Sequence, residues 1–271
     1  AVTGNGTAVV TWSEFQGQDM NIRAARKSPS ADSFESLGII NNAVAGSQKN
    51  PSIAAYGTRI ATAWLDEGSD NLVRIWNSTT GALVREMAGH NGSVTSVDFS
   101  PDGAKLASAS EDGVVKVWNA NTGALLKNLT GHADIVTSVA WSPDGTKLAS
   151  GSWDYTVKVW SASNYALLDT FSNSKNPVNS LDWSPNGALI AAGYNGVGIY
   201  SSQTPGFPNS YFNVTLWNVT TGVPSLFGQL ADQHANSVNS VRFSADGKHL
   251  ASASGALSDS GFDNSVKIWN V

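Results

Sequence analysis

The chain has 271 residues, with 16 Lys+Arg against 21 Asp+Glu, a formal net charge of -5, and no cysteine. The missing cysteines exclude disulfides, thiolate metal sites, iron–sulfur clusters and cysteine nucleophiles, and the acidic balance excludes the basic footprint of a nucleic-acid binder. No run approaches the roughly 18 apolar residues of a membrane span, and no signal peptide is expected before Ala1. Ten tryptophans beside only 14% charged residues point to a fold that uses indole rings repeatedly.

From the N-terminus, residues 1–12 (AVTGNGTAVVTW) align without gaps to residues 53–64 (IAAYGTRIATAW), which sets Trp12 and Trp64 52 residues apart. Each half reads as strand, Gly turn, strand, polar loop and a further strand, MNIRAAR in the first and NLVRIW in the second. Beyond them Trp76, Trp118 and Trp160 are spaced by 42 residues, and Trp217 and Trp269 follow at 57 and 52. Each closes a run (NLVRIWN, GVVKVWN, YTVKVWS, FNVTLWN, NSVKIWN) whose period-two alternation predicts a half-buried strand.

Upstream of these runs lie SVDFSPDG (96–103), SVAWSPDG (138–145), SLDWSPNG (180–187) and SVRFSADG (240–247). Their Asp/Asn-Gly pair ends one strand in a tight turn, because glycine reaches positive φ without strain. Further strands follow as KLASAS, KLASGS, LIAAGY and HLASAS, and then as ALVREMAG, ALLKNLTG and YALLDTFS. Short antiparallel strands repeating about every 42 residues, with no helical period, predict the blades of a β-propeller.

The chain resembles the WD-repeat β-propeller family from about residue 70. Gly89-His90 and Gly131-His132 open two units, and Asp112 and Asp154 each precede the closing Trp by six residues. The resemblance implies a structural tetrad of His, Ser/Thr, Asp and Trp hydrogen-bonded within a blade. Position by position these are His90, Ser108, Asp112 and Trp118; then His132, Ser150, Asp154 and Trp160; and, allowing a loop insertion, His234, Ser252, Asp263 and Trp269. Thr62, Asp70 and Trp76 hold such positions without a His. The expected fold is all-β, a β-propeller of six four-stranded blade units with incomplete terminal units. One domain over residues 1–271 is expected, with diverged blades at 1–70 and WD-like blades at 71–271.

The ends leave three readings open. The chain is a trimmed part of something longer, or the last blade stays three-stranded, or another chain supplies a strand to residues 265–271 by β-augmentation. Counting places 15 extra residues in the fifth unit and 7 in the sixth, near 195–211 and 255–261, in the same kind of loop. The fifth unit has also lost its tetrad, with Ser174 for His, Ala192 for Ser, and no Asp before Trp217. Tyr194, Tyr200, Phe207 and Tyr211 are therefore candidates for a recognition surface, against the plainer reading that they anchor the loop. Asn91, Glu111, Asp134, Trp153 and Tyr155 are further candidates on the face that the resemblance implies for the Asp-bearing turns. Trp153 is the tryptophan with no architectural role; it is a hot-spot candidate, or a cover for Tyr155.

Catalysis has little support. A His-Ser-Asp set that recurs in three blades argues for architecture over a nucleophile, and His249, aligned with Lys105 and Lys147, is expected in solvent. Asp66, Glu67 and Asp70, or Asp259 and Asp263, match no calcium-loop pattern. No cofactor and no metal are expected. Sequons at Asn5, Asn77, Asn91, Asn128, Asn213 and Asn218 are as many as chance provides, whereas low Lys/Glu beside abundant Ser, Thr, Asn and Gly leans toward an extracellular or surface protein. The expected function is a non-catalytic scaffold for a protein or peptide partner. The alternatives are an extracellular assembly subunit joined through the edge of the last blade, and a lectin-like glycan-binding propeller.

Overall fold

The computed structural model describes residues 8–16, 19–27, 30, 33, 35–39, 48–66, 71–172, 176–195, 214–220, 225–229, 234, 237–255 and 265–271. They form two compact units, Ala1–Trp141 and Ser142–Val271. In the first, β1 (Ala8–Gln16), β2 (Asp19–Lys27) and β3 (Glu35–Ile39) make a three-stranded antiparallel sheet. Next come two four-stranded sheets, β4 (Gln48–Tyr56), β5 (Arg59–Asp66), β6 (Val73–Asn77), β7 (Leu83–Met87), then β8 (Val94–Phe99), β9 (Lys105–Ser110), β10 (Val115–Asn119), β11 (Leu125–Leu129). Strand β12 (Val136–Trp141) ends this unit.

The second unit opens with β13 (Lys147–Ser152), β14 (Val157–Ser161) and β15 (Leu167–Phe171). A four-stranded sheet follows, of β16 (Val178–Trp183), β17 (Leu189–Tyr194), β18 (Val214–Asn218) and β19 (Ser225–Gln229). The last sheet has three strands, β20 (Val238–Phe243), β21 (His249–Ser254) and β22 (Val266–Asn270). No helix occurs among the described residues, so none of them forms a helix able to cross a membrane. The all-β architecture of six small sheets, partial at both ends, is the one the repeat predicts.

Local chemistry explains why the strands begin and end where they do. In S-P-D-G the Ser100 hydroxyl accepts from Lys105 N–H at 2.9 Å and donates to Asp102 at 2.6 Å, while Asp102 accepts from Ala104 N–H at 2.9 Å. Ser142 with Asp144, Ser184 with Asn186 and Ser244 with Asp246 repeat the device. Gly103, Gly145, Gly187 and Gly247 take φ of 65° to 69°, where a side chain is strained. At the next turn the Asn77 and Asn119 side chains each accept two main-chain N–H groups.

Burial is graded across each sheet. In β10 and β14 the first four residues are buried, including Lys116 and Lys158, so both faces are covered. The fourth strands β7 and β11 are exposed except for their last residues, Met87 and Leu129. Each fourth strand also slips register against the third beside the Trp, at Ile75/Trp76, Val117/Trp118, Val159/Trp160 and Leu216/Trp217, and β2–β3 slips at Ala24/Ala25.

Successive sheets share no ladder, so the inner strands are latched by side chains. Ser52 accepts Val97 N–H at 3.1 Å, Ser96 accepts Val139 N–H at 3.3 Å, and Asp98 accepts Trp141 N–H at 2.7 Å. In the second unit Ser180 accepts Val241 N–H at 3.2 Å and Asp182 accepts Phe243 N–H at 2.7 Å. Burial pushes the Asp182 carboxyl above its ordinary value, against the opposing charge of Arg242. Apolar packing closes the same joints: Val73 and Ile75 lie in one core with Val94, Val97 and Leu106, and Val214 and Leu216 in another with Val238, Val241 and Leu250.

The spacing at these joints requires small residues. A Cβ on Gly151 would lie 2.5 Å from Val178 Cγ1, and one on Gly193 2.7 Å from Val238 Cγ1. Gly151→Val is expected to cost about 1–3 kcal/mol by overpacking, and Asp98→Ala about 1–3 kcal/mol by leaving Trp141 N–H unpaired. Urea unfolding midpoints check both, and an unshifted midpoint for Gly151→Val would remove the spacing argument.

Candidate functional site

The third sheet shows how its polar core is ordered. Trp118 Nε1–H donates to Ser108 Oγ at 2.8 Å, Ser108 Oγ lies 2.7 Å from His90 Nε2, and His90 Nδ1 lies 2.9 Å from Asp112 Oδ2. Indole N–H is only a donor and carboxylate only an acceptor. The hydroxyl proton must therefore point at Nε2, and the imidazole must carry its proton on Nδ1. Burial holds His90 below its ordinary value, against the pull of Asp112. Burial would raise Asp112, but the N–H groups of Asn91 and Val114, together with His90, bring it below the usual carboxylate range. The set is a buried, one-directional chain that runs through a neutral imidazole to an ionised carboxylate, and the Ser108 hydroxyl proton is committed to His90.

Parts of the same chain recur in the other sheets. Trp160 Nε1 donates to Ser150 Oγ at 2.9 Å, and Asp154 accepts from Thr156 N–H at 2.9 Å. Trp269 Nε1 donates to Ser252 Oγ at 2.8 Å, and Ser252 lies 2.7 Å from buried His234. Asp263 lies outside the described residues. In the second sheet Trp76 Nε1 donates to Thr62 Oγ1 at 2.9 Å.

The fifth unit carries a substitute. Ala192 offers no acceptor to Trp217 Nε1, and the hydroxyl of Tyr194, two residues along the same face of β17, lies 3.4 Å away. Phe171 stacks on the Trp217 ring at 5.3 Å. Tyr194 is thus only 3% exposed, and the structure removes it from the expected recognition surface. The sequence carried the signal: Tyr194 aligns with Ser110, Ser152 and Ser254, so the loss of one hydroxyl at 192 coincides with the gain of another at 194. Tyr200, Phe207 and Tyr211 lie outside the described residues, as do Glu67, Asp70, Asp259 and the insertion near 256–261.

The remaining candidates lie at the turns. Asn91, Glu111 and Asp134 are exposed, and a Cβ on Gly113 would lie 3.5 Å from Asp134 O, so the turn holding Glu111 abuts the segment holding Asp134. In the second unit Trp153 and Tyr155 flank Asp154 and are 38% and 46% exposed. Tyr155 has φ 69°, at the position where the third sheet uses Gly113 with φ 77°. Tyr165, φ 62°, likewise stands where Gly123 has φ 78°. A bulky residue in the left-handed region is a true outlier. The sequence showed both replacements but not their conformation.

Among the sequons, Asn91 is exposed, Asn128 accepts from Lys116 Nζ at 2.8 Å, and Asn77 and Asn218 hold their own turns. Asn5 and Asn213 lie outside the described residues, and His249 is exposed. No three His, Asp or Glu side chains among the described residues are grouped to hold a metal ion.

Ser108→Ala leaves two buried partners unpaired and is expected to cost about 2–4 kcal/mol, against about 1 kcal/mol for Tyr194→Phe. The His90 shift sets a pH dependence. Its contribution is full above the ordinary imidazole value of 6.5 and is lost as pH falls through its lower folded value; Asp112 adds a second loss below 3.8. Urea titrations between pH 7 and pH 5 should show this first loss, and a wild-type stability flat across that window would contradict the buried neutral imidazole.

With the geometry in place, comparison with protein families gives one clear result. The family "WD domain, G-beta repeat" matches residues 81–119, 123–161, 166–197 and 228–270, more than half of the chain. Comparison with curated proteins gives no match. The matched segments hold Trp118, Trp160 and Trp269 with their partners Ser108, Ser150 and Ser252, and stop short of Trp217; the chain belongs to the WD-repeat β-propeller family.

Proposed function

We propose that this protein is a non-catalytic scaffold which holds a protein or peptide partner on the loops beside its Asp-bearing turns, with Trp153 and Tyr155 as the anchors. WD repeats are interaction and assembly modules, which sets the class. The observation that carries the finer reading is Tyr155, an exposed aromatic kept at φ 69° beside exposed Trp153. Glycine there would release about 1 kcal/mol of strain, and such strain concentrates at functional sites. Trp and Tyr dominate binding hot spots, because they give large contact area at low entropic cost. Asn91, Glu111 and Asp134, and the loops near 195–211 and 255–261, are proposed contributors to partner choice. The buried direction of the His90 chain speaks against a hydrolytic role for that set.

A second reading, assembly through residues 265–271, is favoured by Val266 and Ile268, which are 68% and 65% exposed on β22.

Peptides selected from a displayed random library on the wild-type protein test the first reading. They are expected to bind Trp153→Ala at least about tenfold more weakly, with its stability within about 0.5 kcal/mol of wild type. Tyr155→Gly is expected to gain about 1 kcal/mol in urea unfolding while losing the same peptides. Equal binding by both variants would overturn the assignment.

A further inference from the structure

Asparagine followed by glycine carries its own modification chemistry, and the chain has four such pairs, Asn5-Gly6, Asn91-Gly92, Asn186-Gly187 and Asn195-Gly196. The main-chain nitrogen of the glycine attacks Cγ of the asparagine. The new N–Cγ bond forms, the Cγ–Nδ2 bond breaks, and the proton of the attacking nitrogen leaves with the amide as ammonia. Water then opens the five-membered imide at either carbonyl. One opening gives aspartate, and the other gives isoaspartate, in which the main chain runs through the former side chain. The reaction needs a side-chain amide and a glycine N–H that are both free, and a peptide plane that turns to bring them together.

Asn186-Gly187 fails that requirement. Asn186 Oδ1 accepts from Ser184 Oγ at 2.7 Å and from Ala188 N–H at 3.0 Å, and Gly187 N–H donates to Ser184 O at 2.8 Å. Both reacting groups are held by the turn. Gly6 and Gly196 lie outside the described residues. Asn91 is the opposite case: it is exposed, and among the described residues neither its side-chain amide nor Gly92 N–H has a partner. The chain is pinned on either side instead, where Asn91 N–H donates to Asp112 Oδ2 and Gly92 O accepts from Ser110 Oγ, each at 2.9 Å. The peptide plane between these pins makes no hydrogen bond among the described residues. It turns about ψ of Asn91 and φ of Gly92 alone, and glycine offers no Cβ to obstruct the turn.

We infer that Asn91 is a modification site, converting in water and without an enzyme to a mixture of aspartate and isoaspartate. The two products act differently on the third sheet. Aspartate adds a carboxylate beside Asp112 and Glu111, whose like charges oppose it. Isoaspartate also lengthens the main chain by one methylene between the two pins, where there is no room. A Cβ on Gly92 would already lie 2.9 Å from Asp112 N and 3.2 Å from Glu111 C. The lengthened chain drives the Gly92 carbonyl off Ser110 Oγ, and Asp112 loses the setting in which it meets His90. Isoaspartate is therefore the more disruptive product.

The test is incubation of the full chain, produced in a bacterial host, in mildly alkaline buffer, with peptide mass spectrometry at intervals. The Asn91 peptide is expected to gain the mass of an amide-to-acid exchange at least about tenfold faster than the Asn186 peptide, whose turn hydrogen bonds must open first. Aged wild type should unfold at a lower urea midpoint than fresh protein. Asn91→Gln, whose longer side chain would have to close a larger ring, should keep its midpoint over the same period. Fresh Asn91→Asp carries the charge without the added methylene and should unfold between fresh and aged wild type. No conversion at Asn91, or equal rates at Asn91 and Asn186, overturns the inference. Conversion that leaves the midpoint of aged wild type unchanged discards the stated effect on the third sheet.

Discussion

Each inner strand has main-chain N–H groups pointing toward a neighbouring sheet with which it shares no ladder, and a buried N–H without an acceptor costs about 1–3 kcal/mol. Ser52, Ser96, Asp98, Ser180 and Asp182 meet that demand sideways, each lending a side-chain oxygen to the main chain of the next sheet. The remaining features of the joints follow from the short reach of these side chains. Sheets must approach closely, so Gly151 and Gly193 stand where a Cβ would collide with Val178 and Val238. Close approach in turn brings the Val-x-Val faces into contact with the following sheet and dries them.

The polar chain beneath each Trp works under the same rule inside a sheet. Trp118 has one proton to donate, Asp112 has only acceptors, and Ser108 and His90 between them must pass direction along. That explains how the fifth unit dispenses with the chain while keeping its Trp. Only the indole proton is obligatory, and Tyr194 takes it from two residues away.

Much of this was legible in the repeat. The Trp spacing, the S-P-[D/N]-G turns and the alternation of the Val-x-Val-Trp runs gave six units and their strand order, because each signal is local and recurs. The repeat within residues 1–70 is visible only by self-comparison, and the family match begins at residue 81. What escaped was long-range. Tyr194 adjoins an aromatic-rich insertion and reads as part of it, whereas its burial is decided by the hydroxyl missing at Ala192. The left-handed backbone of Tyr155 and Tyr165 has no composition signal. The exposure of Val266 and Ile268 cannot come from their sequence, since the same residue types are dry in four other strands.

The register slips beside each Trp have a wider meaning for how copies of the molecule meet. A bulge twists a strand and spoils its edge as a template for further pairing. Strands β3, β7, β11, β15 and β19 all pair across such a slip. The edge strands β1 and β22, by contrast, run against β2 and β21 in unbroken register. Open-ended growth needs two compatible edges on one molecule, one to give and one to receive. The slips leave β7, β11, β15 and β19 poor templates for either part, which guards four of the sheets against edge-to-edge growth.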